Sequence, residues 1–420
     1  MGDRQNLLLP YRVLDLTDES GFLCGKILAD MGADVLKFEP PGGDAVRAIG
    51  PFPDANDNPP SKESLYWLSY NTGKRGLTLN PERPAGQALF KRLVSSADFV
   101  VETYPPDRLE ELGLGFDVLR ELNPRLILIS ITPFGQSGPY RHYKGGDLVA
   151  MAMSGMMSLV GRPDRPPLRV SLPQAPMWAG MYAAAGGLLA HYHRELKGLG
   201  QQVDISLQSS LLWAMANAPA FWATNRTVPR RAGRQVTGRS VTGATMQAIY
   251  RCKDGYINFI IYGGAAGRRS NKALVAWLAE EGLVSERLRQ KDWDSFNIAE
   301  STQAEIDKLE QPTAELFRRY TKAEFLAQGF KRGMLGYPVA DAGDILADPH
   351  LKSREFWRNV EVPALGQTLK FPGGFARFSE ATAGPRRAAP RIGEHNIEIY
   401  QGELGLSDSD LARLKADGVI

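Results

Sequence analysis

The chain has 420 residues, too many for one simple hydrophobic core, so two domains are expected. Hydrophobic residues make up 43% and charged residues 23%, the balance of an ordinary globular protein. Its 50 basic and 47 acidic residues are interspersed and leave a net charge of +3, which excludes a dedicated nucleic-acid binder with its basic residues gathered on one face.

The opening "MGDRQNLLLPYRVLDL" has neither the apolar core nor the cleavage site of a signal peptide. Asn6 stands where a myristoylation signal has Ser or Thr. "RVLDL" reads as a short strand, "FLCGKILADMG" as a helix ending at Gly32, and "ADVLKFE" as a second strand. The pattern repeats with "GLTLN", a helix at "PAGQALFKRLVSSA", and "DFVVETY". A single helix over "RLEELGLGFDVLRELN" leads into the apolar strand "LILISITPF". Strands alternating with helices predict a parallel sheet covered on both faces, with ligands beyond the carboxyl ends of its strands.

The most apolar stretch, "MWAGMYAAAGGLLAHYH", is shorter than a bilayer span of ~20 residues, so no membrane association is expected. A basic, glycine-rich and irregular stretch, "RTVPRRAGRQVTGRSVTGAT", opens a second unit. There "MQAIYRCKDGYINFII" reads as two strands joined at Asp254-Gly255, with helices at "KALVAWLAEEG" and "TAELFRRYTKAEFLAQGFKRG".

Candidate chemistry is sparse. Ser20 and Gly21 sit at the predicted start of the first helix, a natural site for a phosphate or carboxylate. That loop lacks the G-x-G-x-x-G of a dinucleotide site, and the chain has no P-loop and no G-x-S-x-G elbow. Arg47, Lys74 and Arg75 lie near predicted strand ends, where an anion would bind, although solvated charge is the usual fate of such residues. His191 and His193 point to different sides of a helix, and no metal is expected. Cys24 and Cys252 form no disulfide framework and read as small buried thiols of a cytoplasmic protein.

Five segments carry a resemblance to a known family: "RVLDLTDESGFLCGKILADMGADVLKFEPPGGD", "NTGKRGLTLN", "ADFVVETYPPDRLEELGLGFDVLRELNPRLILISITPFGQSGPY", "GGDLVAMAMSGMMSLVG" and "GQQVDISLQSSLL". In these the chain resembles the class III coenzyme A transferases, the formyl-CoA and carnitine CoA-transferase group that also includes α-methylacyl-CoA racemase. "PVADAGDILADPHLKSREFW" and "GEHNIEIYQGELGLSDSDLARLKADGVI" extend the match nearly to the C-terminus.

The resemblance implies an α/β fold with a large Rossmann-like domain and a small α/β domain joined by two linkers. The expected boundaries are 1–200 for the first part of the large domain, 201–229 for a linker and 230–335 for the small domain. A return linker follows at 336–390, and 391–420 rejoins the large domain. Two such chains are expected to thread through each other as interlocked rings. Coenzyme A would enter as substrate, with no tightly bound cofactor. By position, Leu79, Thr103, Tyr104 and Lys144 fall where the family contacts coenzyme A, Lys144 near its phosphates. A family arginine falls at Glu111, with Arg108 one turn earlier as a substitute, and another falls at Pro40. The loop "DLTDESGF" is one residue shorter than the formyl-CoA transferase form.

The largest departure concerns the aspartate that attacks the acyl-CoA thioester in this family. Aligning the family's Gly-Met on Gly180-Met181 puts it at Pro176, and proline is no nucleophile. The racemase additionally needs a histidine before Asp147, where this chain has Gly146; racemization is excluded. Three readings stay open. The chain is one subunit of a hetero-oligomer whose paralogous partner carries the aspartate, as in succinyl-CoA:benzylsuccinate-type enzymes. Alternatively a homodimer transfers coenzyme A directly between an acyl-CoA and a carboxylic acid in a ternary complex. In the third reading the protein binds acyl-CoA without chemistry.

Overall fold

The computed structural model describes residues 6–53, 63–238 and 240–420. Met1 and Gly2, on which the acylation expectation turns, and Arg239 of the basic stretch lie outside the described residues. The chain divides into two compact units. One comprises the described residues of Met1–Met157, Arg169–Val228 and His350–Ile420; the other comprises Ser158–Leu168 and Pro229–Pro349.

The first unit is built on six parallel strands: β1 (Arg12–Leu16), β2 (Asp34–Glu39), β3 (Arg75–Thr78), β4 (Phe99–Glu102), β5 (Ile127–Thr132) and β6 (Gln202–Ser206). Their order is β3-β2-β1-β4-β5-β6. The connections reverse direction between β1 and β4, which opens a crevice beyond the carboxyl ends of those two strands. Helices in chain order are α1 (Phe22–Asp30), α2 (Leu65–Asn71), α3 (Pro84–Val94), α4 (Arg108–Glu111), α5 (Phe116–Leu122), α6 (Asp147–Met153), α7 (Met156–Leu159), α8 (Ala175–Lys197), α9 (Leu207–Trp213) and α10 (Asn217–Asn225).

Strand alternation assigns side chains to two layers. Val13, Phe99 and Ile129 pack with α1 and α8 on one face. Leu14, Leu36, Val100 and Leu128 pack with α3, α5, Ile399 and Tyr400 on the other. The Ala/Gly content of α8 is a packing requirement: a Cβ on Gly180 would stand 2.8 Å from Leu23 Cβ of α1, and one on Gly187 would stand 2.6 Å from Ile129 Cδ1 of β5.

The single helix expected over "RLEELGLGFDVLRELN" is two helices. Gly113 adopts φ +64° between α4 and α5, a left-handed conformation that ends the first helix and that glycine adopts without strain. The edge of the sheet at β3 is closed by the C-terminal segment. Gly76 N donates to His395 Nδ1 at 3.1 Å, Thr78 N donates to Asn396 Oδ1 at 3.0 Å, and Tyr400 Oη donates to Thr78 O at 2.8 Å. These bonds satisfy backbone groups that an edge strand otherwise leaves open.

Lys74 and Arg75 are not solvated, and they stand at the start of β3 rather than at its carboxyl end. Lys74 is fully buried, donating to Asp15 Oδ2 at 2.8 Å, Asn71 Oδ1 at 2.9 Å and Phe22 O at 3.1 Å. Lys37, equally buried, approaches Asp15 Oδ1 at 3.8 Å and donates to Thr17 O and Phe38 O. Burial opposes ionization of Asp15, but the Lys74 and Lys37 ammoniums outweigh it and hold the carboxyl below its usual range. Burial brings Lys74 down to about 8, against the pull of Asp15. Arg75 is held by Asp34, Glu398 and Glu403, and Arg47 by Glu39.

In the second unit, β7 (Gln235–Val236) pairs with β8 (Met246–Gln247), and β9 (Ile249–Cys252), β10 (Gly255–Phe259) and β11 (Gly336–Pro338) form an antiparallel sheet. Helices α11 (Gly264–Glu280), α12 (Glu286–Arg289), α13 (Gln303–Arg318) and α14 (Lys322–Arg332) belong to the same unit, and Tyr250, Phe259, Trp277, Phe317 and Phe325 form its core. Helix α13 starts ten residues before the expected Thr313 and carries Pro312 in its interior. A Thr302–Glu305 capping box holds the early start. Among the described residues no helix is long and apolar enough to cross a membrane.

Replacing Lys74 with Met keeps its bulk but removes the nearer ammonium of Asp15, which is left with its Thr17 hydrogen bonds and Lys37 at 3.8 Å. We expect Lys74→Met to lower stability by about 3–5 kcal/mol, as removal of one partner of a buried ion pair does, measured by urea unfolding of the full chain.

Candidate functional site

Three loops meet at the crevice beyond β1, β4 and β5. The β1–α1 turn, Thr17–Gly21, is tied to the loop after β4 by Asp18 N, which donates to Thr103 Oγ1 at 2.8 Å. Ser20 N donates to the Asp18 carboxylate at 2.8 Å, and Gly21 caps α1 without a side-chain bond. The loop after β4 is tied in turn to the loop after β5 by an Arg141–Asp107 ion pair at 2.9 Å. Asp107 there adopts φ +71° just before α4.

Glu102 closes β4 and is only 3% exposed. Its Oε2 accepts from Tyr104 N at 2.6 Å, and its carboxyl also meets the Ser130 hydroxyl of β5. Burial pushes its carboxyl up to about 8 against those two hydrogen bonds, and the nearby charges of Glu110 and Asp204 add to the rise. Tyr104 is half-buried; burial, reinforced by Glu102, raises its phenol to about 12.

The five positions expected to touch coenzyme A are therefore divided. Thr103 and Tyr104 lie in the crevice at the point where the strand order reverses. Lys144 is exposed on the loop between β5 and α6, without a side-chain hydrogen bond or ion pair among the described residues. Arg108 is occupied, paired with Glu82 and, at 2.7 Å, with Glu111. Leu79, 3% exposed, follows β3 and is separated from β4 by two strands. Pro40 is exposed after β2.

The start of α8 holds the other decisive arrangement. Pro176 is buried in its first turn. The carboxylate present is Asp147, whose Oδ1 accepts from Gln174 N at 2.7 Å and from Ala175 N at 2.9 Å. A carboxylate on the first amides of a 23-residue helix satisfies otherwise orphaned donors and meets the positive end of the dipole. Glu19 lies on the neighbouring turn; burial and the charges of Asp18, Asp44 and Asp147 all push its carboxyl up.

Comparison with known proteins fits this arrangement to a family. The model of CoA-transferase family III matches residues 8–396. The chain belongs to CoA-transferase family III. It is 35% identical, over 93% of its own length and 92% of the relative's, to succinyl-CoA:(R)-benzylsuccinate CoA-transferase subunit BbsE of Thauera aromatica. It is 31% identical, over 98% of each chain, to the succinyl-CoA–L-malate CoA-transferase beta subunit of Chloroflexus aurantiacus. The crystal structure of a CAIB/BAIF family protein from Brucella suis superposes with a TM-score of 0.79 at 29% identity, covering 95% of this chain and 100% of that one. The protein is thus a class III CoA-transferase by family, and CoA thioesters are the substrates of such enzymes.

Sequence reasoning passed over Glu102 and Asp147. Glu102 was visible as a carboxylate closing the otherwise apolar "FVVE". Asp147 was visible as an acid directly after two glycines, but its partner lies 27 residues away and only the fold brings them together. In this CoA-transferase Asp147→Ala removes the acceptor for both α8 amides. We expect a loss of about 1–2 kcal/mol, the scale of a lost helix cap, in urea unfolding, with Asp147→Asn retaining most of it.

Proposed function

We propose that this chain is the subunit lacking the attacking aspartate in a hetero-oligomeric class III CoA-transferase. The observation that carries the reading is the start of α8: a buried proline occupies position 176, and the adjacent amides of Gln174 and Ala175 are already bonded to Asp147. A nucleophile there would stand beside that carboxylate, and two carboxylates at close range resist common ionization. Two relatives whose names describe subunits of CoA-transferases are consistent with the same division of labour.

In this reading a paralogous chain completes an interlocked dimer and supplies the aspartate that attacks the thioester. The donor is succinyl-CoA and the acceptor a substituted dicarboxylic acid, by analogy with the names of those relatives. Thr103, Tyr104 and Lys144 hold coenzyme A, with Lys144 at a phosphate. Arg108, paired with Glu82 and Glu111, and the buried Leu79 take a supporting part in this reading. Two free, buried cysteines suit a cytoplasmic setting.

Incubation of the purified chain with succinyl-CoA, followed by hydroxylamine or borohydride, should leave its intact mass unchanged. A trapped adduct or a reduced carboxylate on this chain would overturn the reading. Lys144→Glu sets a negative charge against a phosphate and should weaken coenzyme A binding at least about tenfold by calorimetry, whereas the exposed control Lys352→Glu should change it little. Equal affinity of wild type and Lys144→Glu would remove Lys144 from the site.

A further inference from the structure

Glu102 is the one buried carboxyl at the carboxyl edge of β4 that faces other acids instead of a cation. Among the described residues it makes no ion pair with a lysine or arginine. The charged groups that bear on it are Glu110 in α4 and Asp204 on β6. Its neighbour across β1 is Leu16, and across β5 it is Ser130, whose Oγ also accepts from Gln202 Nε2 at 3.2 Å. The backbone bond at 2.6 Å to Tyr104 N fixes the turn that enters the crevice, while Thr103 Oγ1 anchors the same turn to the β1–α1 loop.

We infer that Glu102 is a positioning residue of the transfer reaction: as a neutral acid it holds the Thr103–Tyr104 turn by the Tyr104 amide and keeps negative charge out of the crevice that receives coenzyme A. The inference rests on the assignment of that turn to the coenzyme. The carboxyl accepts from Tyr104 N and from the Ser130 hydroxyl. Ionization leaves the first bond in place but adds a third negative charge to those of Glu110 and Asp204, in a dry site beside an anionic ligand. Because burial raises this carboxyl to about 8, the neutral form is the one present at neutral pH.

The amide of Glu102→Gln reproduces the shape and hydrogen bonding of the neutral acid and cannot ionize; Glu102→Ala removes the acceptor. The experiment uses the full chain in all three forms, with coenzyme A as the probe. Calorimetry at pH 7 and pH 9 gives the affinity, and hydrogen exchange of the peptide spanning Glu102–Leu109, corrected for the chemical rate, gives the order of the turn. Wild type should bind coenzyme A at least about threefold more weakly at pH 9 than Glu102→Gln does, with the two equal at pH 7. Ionization of coenzyme A itself is common to both proteins and cancels. Exchange in the turn should be slow in wild type and Glu102→Gln at pH 7 and fast in Glu102→Ala. Identical pH dependence of binding in wild type and Glu102→Gln would overturn the charge role, and a Glu102→Ala turn as protected as wild type would overturn the positioning role. If Glu102→Ala fails to fold, the Glu102→Gln comparison alone decides. Absence of coenzyme A binding by wild type and Glu102→Gln at both pH values would overturn the assignment of the turn to coenzyme A and with it the charge role, leaving exchange in the turn to decide the positioning role.

Discussion

The first unit depends on one buried carboxylate shared by two ammoniums. Asp15, one residue before the end of β1, is buried in the sheet, and Lys74 just before β3 and Lys37 of β2 reach it, so a single charge ties together three neighbouring strands. The same two ammoniums bond Phe22 O and Thr17 O, on either side of the β1–α1 turn. A Cβ on Gly25 would stand 2.1 Å from Asp15 Oδ2, so α1 can lie against this cluster only with glycine at that position. The turn that opens the crevice is therefore set from below by electrostatics, before any ligand contributes.

From that fixed point the site is assembled by pairwise ties between loops that are distant in sequence. Asp18 with Thr103 and Asp107 with Arg141 each join two loops, and Asp147 carries the chain of contacts on to the start of α8. Each tie uses a short polar side chain against a backbone amide or a guanidinium, and such contacts fix direction more sharply than apolar packing. The crevice is consequently framed by backbone held in place, with few charged side chains free to meet a ligand. Lys144, exposed and unpaired among the described residues, is the cation that the proposed function sets at a phosphate.

What the sequence disclosed followed from periodicity. The alternation of apolar strands and amphipathic helices through "LILISITPF" was enough to anticipate a central parallel sheet, because strands buried on both faces read as near-continuous apolar runs. Local punctuation misled in two places. Gly113 and Gly115 inside an otherwise helical pattern were read through, and the helix placed from Thr313 begins ten residues earlier, where a capping box starts it. Lys74 and Arg75 were misjudged for a different reason: nothing in "NTGKRG" shows that Asp15, 59 residues away, waits to receive one of them. The candidate site was legible as a region, because a switch point follows from strand order, but the Glu102 and Asp147 contacts exist only in three dimensions. Family likeness located position 176; only the fold showed that a different acid already occupies the neighbouring amides.

The closure of β3 by residues 395–400 sets the order of events during synthesis. The edge strand is made early, yet the segment that covers it follows more than 300 residues later, His395 standing 319 positions after Gly76. Until release, a nascent chain carries a finished sheet with one unpaired edge, and such edges recruit other strands. A chain that stopped before His395 would thus keep β3 as an open edge, even though every strand of the sheet and every loop of the crevice had been translated. Residues 395–400 are the fastening that completes the β3 edge of the first unit.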